Sequence, residues 1–254
     1  MPVWDAHLYL KFASERTQPA IDLVSRIQLE PNSILDLGCG PGNSTEILYR
    51  RWSNVALTGL DSSPEMLQTA KKNHPDWHWL EADMATFESE QKFDLVFSNA
   101  ALQWVKNHAQ LLPRLKNLVA DGGALAIQIP AHQNSYLHRA MMSIAQEPRW
   151  VNDLKNASTA LSLETPQFYY DCLLPAKKIE LWQTAYQHVM PNAAAILEWI
   201  RGTGLRPFLE ALPNAQAQAD FEAHLLEQVQ QHYPAQKDRQ VLFEFNRLFM
   251  IAYL

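Results

Sequence analysis

The stretch 33–42, SILDLGCGPG, constrains this chain more than any other. Ile34, Leu35 and Leu37 form a short apolar run that reads as a buried strand, with Asp36 near its end. Gly38, Gly40 and Gly42 then alternate through a tight turn, and Asn43-Ser44-Thr45 offers capping side chains for a helix running to Trp52. Three positions without a Cβ, at the amide-rich start of a helix, let a ligand lie directly on the backbone.

The spacing decides which ligand. A dinucleotide fingerprint reads G-x-G-x-x-G, whereas this turn is G-x-G-x-G with Asp36 two residues ahead of it. An acid there suits an amino or sulfonium group and repels a pyrophosphate. A second strand, VALTGLD, places Asp61 twenty-one positions after Gly40, where a carboxylate can accept both ribose hydroxyls. A ribonucleoside with a cationic tail answers this description, and S-adenosyl-L-methionine is one.

Strand and helix alternate from 33 to 130. Ser62-Ser63-Pro64-Glu65 starts a helix to about Asn73, with a capping serine, proline in the first turn and an acid at the positive end. The strand HWLEAD ends at Asp83, and FDLVFSNA (93–100) is apolar enough for a central strand buried on both faces. A helix from about His108 to Val119 follows, Asp121-Gly122-Gly123 is read as a turn, and ALAIQIP is a fifth strand. KIELWQTAYQHVM and QVLFEFNRLFMIAYL read as two late strands forming an antiparallel hairpin around a helical insertion, 191–239. The expected fold is a single α/β domain, residues 1–254, with a doubly wound, mostly parallel seven-stranded sheet. Residues 1–30 form an N-terminal helical lid, with an apolar stripe through Trp4, Tyr9 and Phe12 interrupted by Pro19. Residues 131–176 and 191–239 are expected to cap the substrate.

Composition removes several classes. A net charge of −6 without basic clusters disfavours nucleic acid. No apolar run reaches 18 residues and the N-terminus lacks a signal-peptide pattern, so neither a membrane span nor secretion is expected. Two cysteines, Cys39 and Cys172, make no disulfide framework, and the histidines show no metal spacing. A cytoplasmic setting follows.

DLGCGPG, GLDSS, EAD and NAALQW resemble the cofactor motifs of class I S-adenosylmethionine-dependent methyltransferases. More narrowly, WDAHLYLKFASERTQPA, NAALQWV, HVMPNAAAILEWIRGTGLRPFL and FNRLFMIAYL resemble the trans-aconitate 2-methyltransferases, from Trp4 almost to the C-terminus. The resemblance implies that Asp61 binds the ribose and Asp83 the adenine amino group, with the Met84 amide on the ring. Asn99 and Ala100 flank the methionine moiety, Gly38 passes beneath it, and Asp36, Cys39, Gly40, Gly42, Asn43, Ser62, Met66 and Trp104 complete the cofactor set.

Methylating a carboxylate requires no general base, because a group of pKa roughly 4 is already an anion at pH 7. No catalytic acid or base is therefore expected, and alignment carries the rate. The remaining carboxylates of a small polycarboxylic acid call for Arg, His and Tyr. Candidates are Arg16, Trp104, Tyr169, Tyr170, Tyr186, His188, Arg206 and Arg247. Arg247, inside an apolar strand, needs an anionic partner. The strand face Glu180, Trp182, Thr184, Tyr186 and His188 is unusually aromatic and polar and suits a pocket lining. No obligate protein partner is expected. Alternatives at this level are a malonyl-carrier-protein methyltransferase, a cofactor-binding protein without turnover, and, disfavoured by the glycine spacing, an NAD oxidoreductase.

Overall fold

The apolar runs of the sequence become strands in the computed structural model, which describes residues 13–254. They are β1 (Ser33–Leu37), β2 (Ala56–Asp61), β3 (His78–Glu81), β4 (Phe93–Asn99), β5 (Val119–Pro130), β6 (Lys178–Met190) and β7 (Val241–Tyr253). One seven-stranded sheet orders them β3-β2-β1-β4-β5-β7-β6. β1 pairs in parallel with β2 and β4, β2 with β3, and β4 with β5. The Leu254 amide donates to Gly123 O while the Ala131 amide donates to Asn246 O, so β7 runs against β5. Ile34, Leu35, Leu37, Leu95, Val96 and Phe97 are all fully buried, as strands covered on both faces require.

The helices are α1 (Ala13–Arg26), α2 (Asn43–Arg51), α3 (Pro64–Asn73), α4 (His108–Lys116), α5 (Tyr136–Ala145), α6 (Val151–Leu154), α7 (Pro166–Leu173), α8 (Ala193–Arg201), α9 (Arg206–Ala211) and α10 (Ala215–His232). The expected positions of Trp4, Tyr9 and Phe12 lie outside the described residues. Pro19 does not interrupt α1, because a missing N–H removes only one rung of its hydrogen-bond ladder. Arg51 of α2 donates to Val24 O and Ile27 O, tying α1's C-terminal end to the first β-α-β unit.

Asp121-Gly122-Gly123 is not the turn expected from its residues. It lies within β5, where the register against β4 shifts between Phe93↔Val119 and Leu95↔Ala124. Gly122 takes φ +79° there, an irregularity that a sheet absorbs as a bulge.

The chain forms two compact units. The first comprises residues up to Pro130, Ser162–Thr184 and Leu248–Leu254. Within it α7 is capped by Thr165 and held at its other end by Lys116 Nζ, which donates to the carbonyls of Leu173, Leu174 and Pro175. The second comprises Ala131–Leu161 and Ala185–Arg247. Its core joins Leu137, Met141 and Ile144 of α5 to Phe221, Leu225 and Val229 of α10, all buried. Trp150 sits edge-on to Phe221, 5.6 Å between centroids.

Candidate active site

The glycine turn is built by β2. Gly38 and Cys39 donate their amides to Leu60 O at 2.8 and 3.0 Å, pinning the turn to the end of that strand. Gly38 has φ +70°, and a Cβ there would meet Ala101 Cβ at 2.3 Å. Gly40 has φ +56°, and a Cβ there would meet nothing within 4 Å. The two glycines thus serve different ends: Gly38 admits another part of the protein, and Gly40 leaves space open above the backbone. Cys39 is buried filler between Gly59 and the loop.

Asp36 is fully buried, and its Oδ2 accepts from Ser44 Oγ and Thr45 Oγ1, both at 2.7 Å. These hydroxyls do not cap α2, whose N-cap is Gly42 without a side-chain bond, since they turn back to the acid instead. Burial pushes the Asp36 carboxyl up to about 6, with the two hydroxyls opposing and Asp61 adding to the rise. Asp36 Oδ1 has no partner among the described residues.

Asp61 braces the loop as well as facing it. Its Oδ2 accepts from the Gly40 amide at 2.8 Å and its Oδ1 from the Ser63 amide at 2.9 Å, and burial raises its pKa. Ser63 caps α3 through the Met66 amide, as its position before Pro64 predicts. Ser62 beside it is exposed and Met66 is buried. Asp83 follows β3, exposed, its Oδ1 accepting from the Ala85 amide at 2.8 Å. Asn43 opens α2, and Met84 reaches Gly38 through its methyl group.

After β4 the backbone turns at Ala100, φ 53°. The Ala100 amide donates to Gln128 O at 2.9 Å, and Gln103 Nε2 donates to Ala100 O at 2.6 Å. Asn99 lies in register with Gln128 on β5. Asn99 Oδ1, Gln103 Oε1 and both amide atoms of Gln128 are buried and lack partners among the described residues. Buried polar groups left this way cost about 1–3 kcal/mol each unless a ligand or water meets them. Trp104 is half-buried in the 3₁₀ turn Leu102–Trp104. Gln103 and Gln128 were not among the expected site residues. The signal for Gln128 was available, as the one polar side chain within ALAIQIP.

Open backbone at Gly40, carboxylates at 36, 61 and 83 and unmet amide groups around Ala100 fit a nucleoside carrying both an ammonium and a carboxylate. No group of His, Cys, Asp and Glu among the described residues is arranged to hold a metal ion.

The expected acceptor residues separate. Tyr169 is a core residue: it is fully buried, its hydroxyl is 2.8 Å from His108 Nδ1 and accepts from the Glu164 amide, and burial drives its phenol well up. The expectation of an acceptor-binding Tyr169 gives way to this structural role, because α7 turns adjacent residues apart. Tyr170 accordingly points outward, 48% exposed. Arg16 falls in α1, but its side chain lies outside the described residues.

Within the second unit Tyr186, His188 and Arg247 come together around aromatic rings. The His188 ring lies 4.5 Å from Trp199 and 6.2 Å from Tyr186, and the Arg247 guanidinium carbon sits 4.8 Å over Phe245. His188 and Arg247 are both buried. Arg206 stands at the first turn of α9, its Nε 3.7 Å from Glu210, with burial lowering its pKa.

Residues 34–123 match the model of the methyltransferase domain family. A trans-aconitate 2-methyltransferase of Azoarcus sp. (strain BH72) is 44% identical over 254 residues, covering 99% of each chain. One from Methylobacterium nodulans is 45% identical over 99% of this chain and 98% of that protein. The chain belongs to the trans-aconitate 2-methyltransferase family. A Yersinia pestis (strain Pestoides F) member is 41% identical over this whole chain and 99% of its own. Solved structures share the family's fold at lower identity. The YcgJ protein from Bacillus subtilis superposes with TM-score 0.60, 11% identity and 93% and 98% of the two chains covered. Coclaurine N-methyltransferase gives TM-score 0.55, 15% identity and 93% and 72% coverage.

Proposed function

We propose that this chain is an S-adenosylmethionine-dependent carboxyl O-methyltransferase that converts trans-aconitate into its monomethyl ester. The observation that carries this reading is the end-to-end match to the family, from the glycine turn through the residues of the second unit. No such support exists for the malonyl-carrier-protein or non-catalytic alternatives.

The bound cofactor supplies an electrophilic methyl group on a sulfonium. In this reading Asp61 accepts the ribose hydroxyls while keeping its bonds to Gly40 and Ser63, so the loop and the sugar share one carboxylate. Asp83 and the Met84 amide take the adenine edge. Asp36 Oδ1, Asn99 and Gln128 provide the unmet polar atoms for the amino-acid end, with Ala100 and Trp104 alongside. The acceptor carboxylate is an anion at neutral pH, so the protein removes no proton and contributes by alignment, for which effective molarities allow about 7–11 kcal/mol. The other carboxylates are held by His188, Arg206 and Arg247, with Tyr186 in support. Such charges belong beside Arg and His in a site shielded from water, where charge-assisted bonds are strongest. The inserted segments of the second unit are thus the acid-recognising part of the enzyme. A cytoplasmic setting completes the reading, supported by two free cysteines, Cys39 and Cys172.

The deciding experiment is transfer of labelled methyl from S-adenosylmethionine to trans-aconitate, cis-aconitate, isocitrate, citrate and malonyl-carrier protein. A labelled ester formed from trans-aconitate in preference to the others is the expected result. Label on the carrier protein alone, or none despite cofactor binding, overturns it.

A further inference from the structure

His132 stands between β5 and α5, in a position that no expectation from the sequence singled out. It is 9% exposed, and its Nδ1 is buried without a partner among the described residues. Its ring lies 5.2 Å from that of His138 and, nearly parallel, 5.8 Å from that of Phe245. Phe245 in turn carries the Arg247 guanidinium, 4.8 Å away, so one phenyl ring is shared between His132 and Arg247. All four residues belong to the second unit.

Buried imidazole nitrogens are ordinarily satisfied, because an unmade hydrogen bond in an apolar setting costs about as much as a made one contributes. Here the orphan nitrogen is gathered with a second histidine and a buried arginine. From the other elements packed around it, the charged and titratable groups acting on His132 are His138 of α5 and Arg247 of β7. Burial lowers the His138 pKa as well, so at neutral pH both imidazoles are neutral and offer ring N–H donors beside the one cationic group, Arg247. The chemical complement is an anion with at least two acceptor atoms.

We propose that His132, with His138 and Arg247 around Phe245, is a carboxylate-binding site that takes one of the unmethylated carboxylates of the acceptor acid. The assignment to the acceptor rests on the methyltransferase reading above. His132 is then a binding residue that fixes which acids are accepted, rather than a member of the reacting centre. Burial first, and then His138 and Arg247, hold the His132 pKa down at about 3. A carboxylate placed against the ring raises that pKa by about 1–3 units, which leaves the imidazole neutral at pH 7, so it meets the acid as the Nδ1–H tautomer and donates that hydrogen to it.

The test is binding of trans-aconitate to the full chain, without cofactor, by calorimetry at pH 7 in buffers of different ionisation enthalpy, paired with imidazole nitrogen NMR. The expected result is a binding heat independent of the buffer, with the His132 Nδ1 resonance shifted by the acid while the ring stays neutral. The acid's own carboxylates, ionised with pKa values of roughly 4, contribute nothing at this pH. His132→Leu should raise the acceptor KM at least tenfold, with cofactor Kd within twofold. His132→Asn, which retains a donor near Nδ1, should recover part of the acceptor affinity. A residue serving only the fold would shift the melting temperature and both ligands together. Acid binding that leaves the His132 nitrogen resonances unmoved, an unchanged acceptor KM in folded His132→Leu, or a loss confined to cofactor affinity overturns the site. If the imidazole shifts with acid but no acid is methylated, the catalytic reading fails and the site stands.

Discussion

The two units of this chain gather polar groups of opposite chemistry. In the first, the polar groups are carboxylates with their donors: Asp61 accepts from the Gly40 N–H, and Asp36 from the Ser44 and Thr45 hydroxyls. In the second they are imidazole and guanidinium groups stacked on rings, with His132, His188 and Arg247 buried around Phe245 and Trp199. Buried acids suit a ligand bearing a sulfonium and an ammonium; a buried guanidinium among imidazole donors suits a polyanion. On the proposed reading, each unit carries the inverse of the charge of the ligand it meets.

The largest effect should come from Gly38→Ala. The new Cβ meets Ala101 at 2.3 Å and the backbone holds φ +70°, so strain and overpacking together should cost about 2–5 kcal/mol and remove cofactor binding. Denaturant unfolding and a cofactor titration check this, and a variant with normal Kd would detach the loop from the ligand.

The next test sets the units against each other with pH. Asp36 is raised to about 6 when folded, against an ordinary 3.8, so its folded form holds the proton more tightly. Its contribution to stability is therefore greatest at low pH and is lost as pH rises from about 4 through 6. His132 is lowered to about 3 against 6.5, so its contribution is greatest above pH 6.5 and is lost as pH falls toward 3. Asp36→Asn should raise stability at pH 7 relative to pH 4 by on the order of 3 kcal/mol, and His132→Leu should do the reverse. Chemical denaturation across pH 4–7 measures both, and slopes of the same sign would break the contrast.

Arg247→Ala should raise the acceptor KM about thirtyfold, roughly 2 kcal/mol, with cofactor Kd within twofold. Steady-state kinetics and a cofactor titration separate the two, and equal losses would deny Arg247 its place in acid recognition. The smallest effect is expected at Tyr170, where Phe should change either constant by less than twofold because the ring is 48% exposed. A larger change in KM would return this residue to the acceptor site.

Periodicity and spacing exposed most of this architecture. β6 spans the residues its alternation marks, and from Trp182 onward its aromatic and polar row is the more buried face. Ser63-Pro64 starts α3 because a cap and a fixed φ act locally, within four residues. What escaped depended on partners far along the chain. Ser44 and Thr45 read as caps until Asp36 supplies a better acceptor. Asp121-Gly122-Gly123 reads as a turn unless β4 and β7 are present to draw it into a strand. Tyr169 and Tyr170 are indistinguishable by composition, and only the helical phase of α7 commits one to His108. His132 stayed hidden because an isolated histidine carries no spacing signal.

The strand order has a consequence for the timing of assembly. β7 is seventh along the chain but lies inside the sheet, between β5 and β6. During synthesis β5 and β6 therefore wait with open edges until the 50 residues between Met190 and Val241 have been made and β7 can slide between them. Leu248, Phe249, Met250, Ile251 and Ala252 are buried on arrival, so the interior of the nucleoside-facing unit is sealed by a late insertion. Open strand edges invite pairing with other chains. A nascent chain of this family is thus most exposed to aggregation in the interval before β7 is delivered, and stop codons upstream of Leu248 should be far more damaging than their distance from the glycine turn suggests.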